Sequence, residues 1–170
     1  MFLKNYTSDV PVAQTIHRIE QVLIRCGVNG ITKEYVGTDG EIAAVTFRIE
    51  LPNFPPITIR LPADKEKAQQ ALWLNYANGD KLSEDGTRMS YNSYKKKRKS
   101  DFKEQGERTA WKLMQDWVEV QLSLIQTQQA EFLQVFLPYA IVKTVNGPAT
   151  YYEAFKQSGF KALLPEKSES

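Results

Sequence analysis

Leu113, Met114, Trp117, Val120 and Leu124 fall on one helical stripe, and Trp111, Val118, Leu122 and Ile125 fall on a second. Lys112, Gln115, Asp116, Glu119, Ser123 and Gln126 share the narrow face that remains. Two apolar stripes beside a thin polar strip predict a central core helix that begins between Asp101 and Glu107 and runs to about Gln128. A first helix is predicted after Asp9 and Pro11, where a cap candidate and a proline open a run of Val12, Ile16, Ile19, Leu23 and Cys26, with Gly27 as its stop.

Between these helices the period changes from 3.6 to 2. Ile31–Val36 reads as a strand ending at the turn Gly37-Thr-Asp-Gly40. Glu41–Leu51 alternates, with Val45, Phe47, Ile49 and Leu51 on one face, and Pro52-Asn-Phe-Pro-Pro56 breaks it before Ile57–Leu61 alternates again. Pro62-Ala-Asp64 ends that strand and caps a helix whose inner face carries Ala68, Ala71, Leu72, Asn75 and Tyr76, with Trp73 at the boundary. Asn78-Gly79-Asp80 stops it. After the long helix, Glu131–Leu137 predicts a second helix or a bent extension ended by Pro138. Ala140–Val142 predicts a short strand before Asn146-Gly-Pro148, and Thr150–Phe155 a last short helix stopped at Gly159.

The expected fold is therefore α+β: an antiparallel three-stranded meander flanked by helices (α-β-β-β-α), with a long C-terminal core helix and further short helices. A length of 170 residues suits one domain, organised as an α-β-β-β-α unit over 1–78, a basic flexible loop over 79–100 and a helical part over 101–165. The open edges of a three-stranded sheet make a homo-oligomer one way of covering them.

Charge changes the picture more than composition does. The chain carries +2 overall, but Arg88–Lys103 holds seven basic residues and one acid, so that segment is +6 and the remainder −4. Local basicity on an acidic remainder points to a directed anionic partner. Tyr91 and Tyr94 precede the run Lys95, Lys96, Lys97, Arg98 and Lys99, and Phe102 and Lys103 follow it. Phosphates need cationic donors and unstacked bases need aromatic faces, so this segment predicts nucleic-acid contact, DNA in the first instance, with Tyr91 and Tyr94 stacking on bases. Its plain alternative is a solvated loop whose charge keeps the chain soluble.

Other chemistry is thinner. Asp116 and Glu119 lie one turn apart and pose the choice between holding a divalent ion and forming an exposed polar strip with a Lys112–Asp116 pair, the latter being preferred. His17 is the single histidine and sits on the polar side of the first helix. Cys26 is the single cysteine and sits on the apolar stripe as a buried thiol. One of each implies no zinc set, no disulfide within the chain and no cofactor. Phe132, Phe136, Tyr139, Tyr151, Tyr152 and Phe155 make an aromatic C-terminal region that either covers the long helix or leaves a patch for a partner chain. Met1–Tyr6 lacks the apolar run of a secretory signal, and no stretch approaches the length of a membrane span. A cytoplasmic protein with no membrane partner is expected.

Two resemblances add to this. The helix-strand-strand-strand-helix order over 11–78 resembles double-stranded RNA-binding domains, in which lysines at the start of the second helix span phosphates. Asp64-Lys-Glu-Lys67 departs from that pattern, because its acids oppose the contact. Arg108-Thr-Ala-Trp111, Asp116-Trp-Val-Glu119 with Gln121, Val135-Phe-Leu-Pro-Tyr139 and Tyr151-Tyr-Glu153 resemble small uncharacterised proteins of bacteriophages and prophages. The N-terminal Pro11, Ile16, Ile19 and Gly27, the Gly30-Ile31 pair and the Thr46-Phe47 strand are similar too. That resemblance implies a bacterial host cell and a setting in DNA metabolism or counter-defence, with no assigned activity. The function expected is a phage-type accessory protein that binds nucleic acid non-catalytically, in DNA replication, recombination or their control. The alternative is an oligomeric counter-defence protein that blocks a host protein or traps a phosphorylated small ligand.

Overall fold

A computed structural model describes residues 3–38, 40–77 and 97–160. Helix α1 (Val12–Arg25) leads into strands β1 (Asn29–Val36), β2 (Glu41–Ile49) and β3 (Ile57–Pro62), followed by α2 (Lys65–Ala77). A 3-10 turn over Lys99–Phe102 opens the long helix α3 (Lys103–Gln126). Helix α4 (Phe132–Phe136), a 3-10 turn at Leu137–Tyr139, strands β4 (Ile141–Thr144) and β5 (Gly147–Thr150) and helix α5 (Tyr151–Gln157) complete the described chain. The fold is α+β, with a three-stranded antiparallel sheet flanked along the chain by α1 and α2. No helix among the described residues is long and apolar enough to cross a membrane.

The chain divides into two compact units. The first comprises the described residues of Met1–Gln21 and Ala63–Glu119. Its buried side chains include Thr15, Ile16 and Ile19 of α1, Ala68 and Leu72 of α2, and Thr109, Ala110, Trp111, Gln115 and Val118 of α3. Trp111 is its largest, and its indole N–H finds no hydrogen-bond partner among the described residues. Helix α1 begins at Val12, just after Pro11, whose carbonyl accepts from the Gln14 and Thr15 amides, two residues beyond the Asp9 cap expected from sequence. Thr15 also turns its hydroxyl to that carbonyl, over 3.3 Å, which satisfies a fully buried polar side chain.

The second unit comprises the described residues of Val22–Pro62 and Val120–Ser170. Here α1 ends as predicted at Gly27, with φ +78°. Its amide donates to Ile24 (3.0 Å) and that of Val28 to Leu23 (3.3 Å), which closes the helix and buries Leu23 and Val28. The strands pair in the order β1-β2-β3, with Val45 opposite Leu61, Phe47 opposite Ile59 and Ile49 opposite Ile57. All six side chains but Ile57 are buried, as the alternation predicts. The opposite face carries an ion pair that the pattern did not reveal. Arg60 Nε reaches both oxygens of Glu34, at 3.1 and 2.9 Å, and Thr46 donates to Oε1 at 2.8 Å.

The structure corrects or adds to several expectations. Of the two stripes on the long helix, only the one with Trp111, Val118 and Leu122 is core; Val120 is 55% exposed, and Gln115, placed on the polar strip, is buried. In the aromatic region, the Phe136 ring meets Phe47 of β2 edge-on (5.9 Å, 85°) and stacks on Phe132 (4.7 Å). Tyr151 and Tyr152 are exposed. Cys26 is half-buried rather than buried, with the Gln126 amide 3.5 Å from its sulfur. Finally, Gly147–Thr150, for which no strand was expected, form β5, which pairs with β4 in a hairpin.

Candidate functional site

Of the residues singled out for nucleic-acid contact, Tyr91, Tyr94, Lys95 and Lys96 lie outside the described residues. Lys97, Arg98, Lys99 and Lys103 are described, and all four are exposed. They are not on a featureless loop: Lys99 opens the 3-10 turn and Lys103 is the first residue of α3. The reason is local and readable. Asp101 accepts the Arg98 amide on its carboxylate (2.8 Å), while its own amide donates to the Arg98 carbonyl (3.0 Å). An acid at this position satisfies a donor that a helix start otherwise leaves open.

Helix α2 holds the same segment from the side. The Tyr76 hydroxyl accepts the Lys97 amide at 3.0 Å, and the Gln69 side-chain amide donates to the Lys99 carbonyl at 2.8 Å. Gly106 on α3 makes this approach sterically feasible, since a Cβ there would stand 2.8 Å from Gln69 Cβ and 2.9 Å from its backbone. Trp73, Tyr76 and Phe102 form one ring cluster: Trp73 stacks on Tyr76 (5.9 Å), and Phe102 meets Trp73 at 6.2 Å and Tyr76 at 5.4 Å. The Lys97 ammonium lies 5.5 Å from the Phe102 centroid. Cations and aromatics are therefore adjacent here, on backbone fixed by three hydrogen bonds. No family model, curated protein or solved structure matches this chain.

Trp73 and Tyr76 were not assigned to this site from sequence. The only signal was their spacing of one helical turn, with Trp73 at the edge of the apolar face, and that spacing does not say which segment the edge will meet. Phe102 was noted as a neighbour of the run.

The second candidate, Asp116 with Glu119, is arranged for structure. Asp116 takes the Lys4 ammonium at 2.7 Å, the Asn5 side-chain amide at 3.1 Å and the Lys112 ammonium at 3.2 Å, the last being the pair the spacing predicted. Partial burial alone would raise its pKa. The hydrogen bonds from Lys4, Asn5 and Lys112 outweigh that and hold it at about 2. Glu119 instead accepts the buried Gln115 amide at 2.6 Å, and Gln115 accepts from Lys112 at 3.1 Å. The two carboxylates thus serve different partners. Two backbone carbonyls complete the attachment of the N-terminal segment to α3: Asn5 accepts from Thr109 (3.2 Å) and Ser8 from Gln105 (3.2 Å).

The remaining candidates fall to local partners. Asp64 caps α2 by accepting the Lys67 amide at 3.0 Å and pairs with its ammonium at 2.6 Å, which lowers the Asp64 pKa. Lys67, one of the two lysines at this helix start, is thus turned onto the Asp64 cap. His17 is exposed and lies 3.7 Å from Glu20. A surface depression of about 470 Å³ is lined by Ile125, Gln128, Gln129, Ala130, Glu131 and Gln134. It presents amides and one carboxylate but no cation.

Proposed function

We propose that the protein binds nucleic acid, DNA in the first instance, without catalysing a reaction on it, through the cationic segment that ends at Lys103. The observation that carries this reading is the exposure of Lys97, Arg98, Lys99 and Lys103 on backbone held by Tyr76, Gln69 and Asp101. Cations presented from a fixed turn lose less freedom on meeting phosphates than cations on a free chain, so more of each contact is retained as affinity. The acid closest in sequence, Asp101, is engaged with the Arg98 amide. The resemblance to phage and prophage proteins supports an accessory role in DNA replication, recombination or their control.

The test is a gel-shift titration with wild-type protein and with a variant in which Lys97, Arg98 and Lys99 are all alanine. The variant is expected to bind at least tenfold more weakly at moderate salt. Equal affinity of the two proteins would refute the assignment of the segment.

A further inference from the structure

We infer that the partner of this segment is single-stranded nucleic acid, and that Trp73 is the face on which a base stacks. The inference rests on the nucleic-acid reading above and sharpens it. A duplex keeps its bases stacked on one another and offers a protein mainly phosphates and groove edges, so cations alone suffice to hold it nonspecifically. A single strand offers phosphates and unpaired bases together, and proteins that bind it combine a cationic track with aromatic side chains. The ring cluster supplies the second component at the place where the first is anchored.

Three observations favour Trp73 within that cluster. The Phe102 ring already has the Lys97 ammonium at 5.5 Å. Tyr76 is committed through its hydroxyl to the Lys97 amide. Trp73 stacks on Tyr76, which fixes the plane of its indole, and it remains only half-buried. A large ring whose orientation is set by a neighbour costs little conformational entropy when it receives a base. The cluster differs in kind from the core aromatics: Trp111 and Phe136 are fully buried and offer no face. Charge complementarity selects the occupant, because Lys97, Arg98 and Lys99 adjoin the cluster and are exposed.

The experiment compares a labelled oligothymidine strand of about 20 nucleotides with a duplex of the same length by fluorescence anisotropy at one salt concentration. Wild-type protein, Trp73→Leu and Trp73→Phe are each titrated. The strand is expected to bind wild-type protein on the order of tenfold more tightly than the duplex. Trp73→Leu is expected to remove that preference, while Trp73→Phe, which keeps a ring, retains most of it. Circular dichroism verifies that Trp73→Leu is folded. Should it unfold, quenching of wild-type tryptophan fluorescence by oligothymidine, diminished in Trp73→Phe, carries the test. Equal binding of strand and duplex, with no effect of Trp73→Leu and no quenching, overturns this inference and leaves the proposed function standing. Binding of neither probe overturns both.

Discussion

Gly106 faces Gln69 so closely that a methyl group on its Cα would stand 2.8 Å from Gln69 Cβ and 2.9 Å from the Gln69 nitrogen. Glycine inside a helix normally costs about 1 kcal/mol relative to alanine, so Gly106→Ala would be stabilising on propensity alone. Here the obstacle is backbone, which cannot swing aside. Gly106→Ala is expected to destabilise the fold by about 1–3 kcal/mol in denaturant titration, and to weaken nucleic-acid binding as Gln69 is displaced from the Lys99 carbonyl. A more stable variant would show that α2 and α3 are not so close.

Asp116 gives the fold a specific acid sensitivity. Its pKa is held at about 2 in the folded chain, below the ordinary aspartate value of about 3.9, so it binds its proton less readily folded than unfolded. Its contribution is therefore complete at neutral pH and is lost as pH falls from about 4 through about 2, with a size of about 1–2 kcal/mol. Asp64 and Glu153 are shifted in the same direction. Asp116→Asn isolates the one group: denaturation midpoints at about pH 6 and about pH 2.5 should differ less in the variant than in the wild type. Equal pH dependence would contradict the Lys4–Asn5–Lys112 arrangement.

Phe136 supports the sheet from helix α4. It is fully buried and meets Phe47 edge-on. Phe136→Ala is expected to cost about 3–5 kcal/mol, from lost burial together with the cavity left behind. A loss below about 1 kcal/mol in denaturant titration would mean that the ring is not packed there.

Helix α5 depends on one cap. The Thr150 hydroxyl accepts the Glu153 amide at 3.2 Å, and the Glu153 carboxylate accepts the Thr150 amide at 2.8 Å. The Thr150 amide, donating to the carboxylate, is the largest cause holding the Glu153 pKa below its ordinary value. Thr150→Ala is expected to cost about 1 kcal/mol and to raise hydrogen exchange over Tyr151–Gln157 ahead of the rest of the chain. Uniform exchange across the variant would speak against a separately capped helix.

Much of the architecture was legible because period reports directly on burial. The alternation of Val45, Phe47 and Ile49 identified the buried face of β2, and Gly27 marked the end of α1. Where the reading failed, the apolar–polar pattern did not report what each side chain would meet. Gln115 looks like a surface residue, yet Lys112 and Glu119 satisfy its amide well enough to let it be buried. Val120 looks like core and is exposed. Phe132 and Phe136 announced an apolar cluster without showing that Phe47 would be its other half. The site divides the same way. Lys97, Arg98, Lys99 and Lys103 are visible as a charge run, whereas Trp73, Tyr76 and Gln69 join them only through the meeting of α2 with the turn before α3, which no spacing encodes.

The most direct test of the central claim is the salt dependence of binding. Each phosphate neutralised releases counterions, so the slope of log affinity against log salt counts the contacts made. Removing Lys97, Arg98 and Lys99 together should make that slope shallower by about two to three units. An unchanged slope and unchanged affinity would contradict the account.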